Sequence, residues 1–225
     1  MGVIGDEAIE AKLAELHARS LSQMGAMATF FAGLPPQDSP AAAQHAQAVR
    51  AFLADKMVAL DEDKAAFCHQ VILASGARRV VEIGTSYGVS TVYLADAVRR
   101  NLARLGGEGG VIGTEYEPEK AAAARALFHD IGLSGLIELR EGDLAHSLAD
   151  LAGPIDFVLM DIWLPAVAPA LERLRGRLRE GSVIVADNTL RNREGYAPLF
   201  AFFAAEGFSS VTLPYDGGLE LAVKG

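Results

Sequence analysis

From residue 79 onward the sequence changes period six times or more, and that alternation limits what the chain can become. Short β-branched runs, RVVEIG (79–84), VIGTEY (111–116), LIELREG (136–142), DFVLMD (156–161) and SVIVADN (182–188), are separated by stretches with helical spacing. Those stretches are VSTVYLADAVRRNLARL (89–105), PEKAAAARALFHDIG (118–132), a short helix after Gly142, and PALERLRGRLREG (169–181). Strands alternating with helices predict a parallel sheet covered on both faces. Near the end, YAPLFAFFAAEGF reads as a helix, and SSVTLPY and LELAVKG flank the turn signal DGG as two strands able to pair antiparallel at an edge.

The first 60 residues are different in kind. Ile9, Leu13, Leu16 and Met24 recur at helical spacing, which predicts one amphipathic helix over about 6–27. GLPPQDSP (33–40) breaks it. Asp38 or Ser39 is placed to cap a second helix with Pro40 in its first turn, and Val49, Phe52, Leu53 and Met57 give that helix an apolar face. A third helix, DEDKAAFCHQVILASG, ends near Gly76. The expected organisation is a helical cap over 1–60 and an α/β domain over 61–225, built as one unit, with GGEGG (106–110) as an internal loop.

Composition narrows the partners. A chain of 225 residues with 51% hydrophobic content can bury a substantial core. Its net charge of −9 argues against nucleic-acid binding, which needs clustered Lys and Arg. Cys68, the single cysteine, sits in a helical run and reads as a buried structural thiol, consistent with a reducing compartment. No basic-then-apolar start and no bilayer-length apolar run occur, so the expected setting is cytoplasmic, without membrane partners. Histidines 17, 45, 69, 129 and 146 lack metal-ligand spacing.

In an open parallel sheet, ligands bind beyond the carboxyl ends of the strands. The first strand ends in VVEIGTSYGVST, where Glu82 precedes Gly84 and Gly88 and a helix opens near Val89 and Ser90. The spacing E-x-G-x-x-x-G is neither the G-x-G-x-x-G of dinucleotide enzymes nor a phosphate loop ending in G-K-[ST]. Glu115 ends the second strand, where an acid can accept hydrogen bonds from a ribose diol, and Asp143 falls at the same rim. A ligand with a ribose, a base and no phosphate fits. The remaining puzzle is Asp161, Asp187 and Asn188, polar residues set at the ends of otherwise apolar strands.

EIGTSYGVS (82–90), GTEYEP (113–118), EGD (141–143), DFVLMDIW (156–163) and VIVADN (183–188) together resemble the class I S-adenosylmethionine-dependent methyltransferases. Within them the chain looks most like the cation-dependent O-methyltransferases of the catechol and caffeoyl-CoA type. The resemblance runs from about Asp61 to the C-terminus. It implies a Rossmann-like fold with a seven-stranded, mostly parallel sheet, an antiparallel C-terminal strand and N-terminal capping helices. It also implies S-adenosylmethionine bound by Glu82, Gly84, Ser86, Gly88, Ser90, Glu115, Asp143 and Asp161. Asp161, Asp187 and Asn188 would hold one divalent cation, Mg²⁺ in type, with Asp161 in the catalytic role. The activity implied is methyl transfer to a hydroxyl of a small, aromatic, catechol-like acceptor, in a homodimer.

Three other readings of the same residues stay open: a metal-independent O- or N-methyltransferase, an inactive cofactor-binding interaction protein, and Asp161, Asp187 and Asn188 as helix caps. The chain also departs from the family. Where the family usually places a lysine shortly after the first metal-binding Asp, this sequence has Leu164 and Pro165. The general base is then either missing, with an acidified hydroxyl losing its proton to water, or comes from elsewhere, with Lys56 and Asp61 as candidates, and the Leu-Pro loop would reshape the pocket mouth. Trp163 either lines the substrate pocket or packs over the core.

Overall fold

The computed structural model describes residues 2–34 and 42–225, with side chains of 42–46 excepted. Seven strands form one sheet in the order β3-β2-β1-β4-β5-β7-β6. They are β1 (Arg79–Ile83), β2 (Gly110–Glu115), β3 (Ile137–Glu141), β4 (Ile155–Met160), β5 (Leu178–Asp187), β6 (Phe208–Leu213) and β7 (Leu219–Lys224). Strands β1 to β5 run parallel, and β7 is antiparallel to both of its neighbours. The expected class I architecture is present.

Period-two alternation sorts the strand side chains into two cores. Val80, Phe157, Leu159, Val183 and Val185 face α1 (Glu7–Ser22), α4 (Glu62–Ser75), α5 (Val89–Leu105) and α6 (Pro118–Asp130). Their chain neighbours Val81, Val158, Met160, Ile184 and Ala186 face the other way, onto α8 (Leu164–Leu174) and α9 (Ala197–Glu206). A strand that is apolar at every position, such as FVLM, is therefore buried on both faces, because successive side chains point to opposite sides.

Two sequence expectations need revision. The first helix stops at Ser22. Gln23 leaves the helix there and bridges to Met57, accepting its N–H at 3.1 Å, and α2 (Met24–Ala32) starts afresh. Leu13 and Leu16 are buried as expected, but Met24 falls beyond the break and is exposed. The helix expected over 169–181 lies further back. It begins at Leu164 with Pro165 in its first turn, where the missing N–H costs nothing, and RLREG leads instead into β5. The two C-terminal strands pair antiparallel at one edge of the sheet, as expected: β6 is outermost, and β7 lies between β5 and β6 with Leu219 and Ala222 buried.

The proposed cap of the second helix at Asp38 or Ser39, with Pro40, lies outside the described residues. The helix itself, α3 (Ala42–Leu53), buries Val49, while Met57 is buried in the segment that follows it. Cys68 is a free, fully buried thiol, as read from the sequence. Among the described residues no helix is long and apolar enough to cross a membrane.

Candidate active site

The turn between β1 and α5 depends on two glycines. Gly84 has φ 101°, and a Cβ there would come 2.0 Å from the Asp161 carbonyl oxygen. Gly88 has φ 83°, and its Cβ would meet the Phe128 ring at 2.6 Å. Both conditions exclude a side chain. Between them Ser86 adopts φ 51°, an uncommon conformation for a non-glycine residue. Gly84, Ser86, Ser90 and Asp161 line one small cleft together with Met57 and Val58.

Glu82 does not face that cleft. Its carboxylate is fully buried and accepts hydrogen bonds from the hydroxyls of Thr85 (2.8 Å), Ser90 (2.7 Å) and Thr91 (2.5 Å). Burial pushes its pKa up, and the three hydroxyls oppose that shift. Glu82 thus braces the loop from beneath through these internal bonds. Ser90 lines the cleft in part but spends its hydroxyl on Glu82.

Glu115 ends β2 with each carboxylate oxygen holding one backbone donor. Ser86 N–H donates to Oε2 at 2.7 Å and Glu117 N–H to Oε1 at 2.8 Å. A carboxylate oxygen has a second lone pair, so both oxygens can still accept from a diol. The Ser86 hydroxyl is buried and has no hydrogen-bond partner among the described residues. A buried orphan polar atom in a cleft is a position for a ligand's polar group. Beyond Glu115, Tyr116 is covered by the Arg50 guanidinium, 3.8 Å from the ring centroid, which brings α3 over this rim. Asp143 has a local task at this rim. It caps α7 (Leu144–Ser147) by accepting from Ala145 N–H and His146 N–H, and its other oxygen lies 3.0 Å from His146 Nδ1.

The strand ends carrying Asp161, Asp187 and Asn188 adjoin, since Met160 pairs with Ala186. Asn188 has φ 59°, which turns the chain off the sheet, and asparagine tolerates that conformation better than most residues. Its amide nitrogen lies 2.6 Å from Asp187 Oδ2. The Tyr196 hydroxyl fixes the strand end by donating to the Asp187 carbonyl at 2.7 Å. Into this group comes a residue that the sequence reading passed over. Lys64 on α4 is 2% exposed, and its Nζ donates to Asp187 Oδ1 at 2.8 Å and lies 2.9 Å from Asp61 Oδ2. Burial alone would lower the lysine's pKa, but the two carboxylates outweigh it and raise it above the ordinary value. Asp161 is the opposite case. Among the described residues no donor reaches its carboxylate, and burial, with the charges of Asp187 and Glu82 added, pushes its pKa well up.

A divalent cation needs several oxygen ligands in near-ideal geometry and no competing positive charge. Here one oxygen of Asp187 already faces an ammonium and the other an amide N–H. As arranged, the residues accommodate a lysine and not a divalent ion. The candidate bases are also accounted for. Lys56 pairs with Asp55, and Asp61 with Lys64. Leu164 joins the core on the α8 and α9 side, so no loop is left to reshape a pocket mouth. Trp163 is an exposed residue at the start of α8.

Residues 81–189 match the family described as "Methyltransferase domain". Over those residues the chain is similar to methyltransferase domains. A catechol O-methyltransferase from Niastella koreensis is 32% identical over 120 residues, which cover 52% of this chain and 51% of that protein. A protein-L-isoaspartate O-methyltransferase from Anaeromyxobacter dehalogenans is 37% identical over 121 residues, covering 53% and 51%. The chain thus spans about half the length of the curated relatives it matches. Among solved structures, an O-methyltransferase from Bacillus cereus in complex with S-adenosylhomocysteine has the same fold, with TM-score 0.67 and 24% identity over 86% of this chain and 94% of that one. The methyltransferase match begins inside β1 and ends just past Asn188, so it includes every strand end described above.

Proposed function

We propose that this chain transfers the methyl group of S-adenosylmethionine to a hydroxyl of a small, aromatic, catechol-like acceptor. The observation that carries the reading is the cleft between the Gly84–Gly88 turn and Asp161. Among the described residues, its Ser86 hydroxyl is buried without a hydrogen-bond partner and its Asp161 carboxylate meets no donor. S-adenosylmethionine, when bound, supplies an electrophilic methyl group on a cationic sulfur. In this reading the Glu115 carboxylate accepts from the ribose diol and Ser86 from a polar group of the same ligand. The acidic surroundings of Asp161, Asp187 and Asp61 favour a positive charge in the cleft.

Asp161 then has two tasks. It borders the cationic end of the ligand, and it accepts the hydrogen bond of the incoming hydroxyl. As the new C–O bond forms and the C–S bond breaks, the hydroxyl proton passes to the carboxylate and then to solvent. Holding acceptor and methyl donor in one cleft supplies much of the acceleration by proximity.

A methyl-transfer assay against catechols and phenols, run with Mg²⁺ and separately with chelator, tests the reading, paired with calorimetric titration of S-adenosylhomocysteine. Transfer to a ring hydroxyl is the expected result. Binding without transfer to any acceptor would favour a cofactor-binding interaction protein instead. Activity confined to Mg²⁺ would favour the divalent cation at Asp161, Asp187 and Asn188.

A further inference from the structure

Lys64 is a buried cation on a helix that none of the recognised motifs includes. We propose that it is the resident cation of this site: its ammonium takes the position beside Asp187 that a divalent metal would need, so the site works without one. The methyl-transfer part of this rests on the function proposed above, whereas the exclusion of metal does not.

The geometry is specific. Lys64 occupies the first turn of α4, four residues before the buried Cys68, so the helix face that packs on the sheet also presents the ammonium. Nζ reaches Asp187 Oδ1 at 2.8 Å and Asp61 Oδ2 at 2.9 Å, and the lysine side chain is 2% exposed. An ammonium has three N–H donors and no acceptor. Two are matched to carboxylates. The hydrogen-bond network also turns the Asn188 amide so that its nitrogen faces Asp187 Oδ2. Of the three expected oxygen ligands, one is neutralised by lysine and another presents N–H. A metal ion entering between Asp161 and Asp187 would have to displace a buried ammonium held by two carboxylates, against charge repulsion.

Removing the ammonium should recreate the metal site. In Lys64→Met the side chain keeps its length and loses its charge, leaving Asp61, Asp161 and Asp187 without a cation. Mn²⁺ binding, followed by electron paramagnetic resonance in the presence of S-adenosylhomocysteine, should be weak for the wild-type protein. It should be at least about tenfold tighter for Lys64→Met, because affinity for hard cations follows ligand charge. The charge-preserving Lys64→Arg should bind Mn²⁺ as weakly as wild type. Stoichiometric Mn²⁺ binding by the wild-type protein overturns the proposal, and that measurement needs no variant to fold. Equal Mn²⁺ affinity in folded Lys64→Met and wild type overturns it as well. If no acceptor is methylated, the proposed function fails, and the Mn²⁺ titration still decides the role of Lys64.

Discussion

The backbone N–H of Ser86 donates to the Glu115 carboxylate at 2.7 Å, tying the tip of the β1–α5 turn to the end of β2. The two segments are 29 residues apart in sequence and meet because β1 and β2 are parallel neighbours in register. One side chain thereby positions the loop and presents its remaining lone pairs to whatever the loop encloses.

Glu115→Gln removes the charge from both of these hydrogen bonds and from any ribose contact. Charge-assisted bonds of this kind are worth roughly 1.5–3 kcal/mol, so S-adenosylhomocysteine should bind about 10–150-fold more weakly. Calorimetric titration measures this directly. Unchanged affinity in a folded variant would remove Glu115 from the ligand site.

Glu82 should show the reverse profile, a stability effect with little direct effect on binding chemistry. Glu82→Ala leaves the hydroxyls of Thr85, Ser90 and Thr91 without their acceptor inside the protein. The expected loss is about 3–5 kcal/mol in urea unfolding, because the groups left behind stay buried. Glu82→Gln keeps one oxygen acceptor and should cost less. If both variants unfold like wild type yet fail to bind S-adenosylhomocysteine, Glu82 acts on the ligand after all.

These contrasts follow the line between what the sequence could and could not reveal. Gly84 and Gly88 were legible because a strand, a turn and a helix start fall in one short window, and Glu115 because it ends the next strand. Glu82 was placed in the right window without its orientation, since β1 residues alternate between faces and only the hydroxyls of α5 show which way the carboxylate turns. Lys64 was not legible: it lies 123 residues from Asp187, and nothing in DEDKAAFC distinguishes a buried lysine from the solvated one that helix statistics favour. One sign was available, the fact that Lys64, Cys68 and Ile72 share a stripe at four-residue spacing. Helix boundaries failed for similar reasons. Gln23 ends α1 through bonds to Met57, a partner invisible to local propensity, and RLREG joins β5 because β4 lies beside it.

A second buried charge cluster makes a pH prediction. Asp96 on α5 is 2.9 Å from His69 Nε2 and also meets Arg99 and Arg100. Burial opposes its ionisation, but the bonds from His69 and the arginines win and lower its pKa. A carboxylate with a depressed folded-state pKa contributes stability that is present above its unfolded pKa and lost as pH falls through the folded value. Asp96→Asn should therefore cost about 3–5 kcal/mol at neutral pH, an upper figure because both arginines are partly solvated. The gap between variant and wild type should narrow as pH drops below about 4, where Asp96 of the unfolded chain begins to protonate while the folded carboxylate still resists. Urea midpoints at neutral pH and in the acid range give both values, and a gap independent of pH would contradict the ion-pair account.

Asp161 presents the clearest conflict between stability and the proposed reaction. Its carboxylate lies where burial and the charges of Asp187 and Glu82 all disfavour ionisation, with only the Lys64 charge acting the other way among its strongest influences. A group held in that condition destabilises the empty protein, and replacing it by a neutral isostere should relieve the repulsion. Asp161→Asn is thus expected to gain about 1–2 kcal/mol and to raise the melting temperature by roughly 2–8 °C for a chain of this size. The same change should abolish methyl transfer, since the amide can neither take the hydroxyl proton nor offset the cationic sulfur. It should also reduce the preference for S-adenosylmethionine over S-adenosylhomocysteine, because only the former carries that positive charge. Differential scanning fluorimetry without ligand and paired calorimetric titrations with the two ligands separate these effects. A folded Asp161→Asn that melts lower than wild type would mean that the carboxylate is charge-compensated in the empty protein, and the strain attributed to it here would be absent.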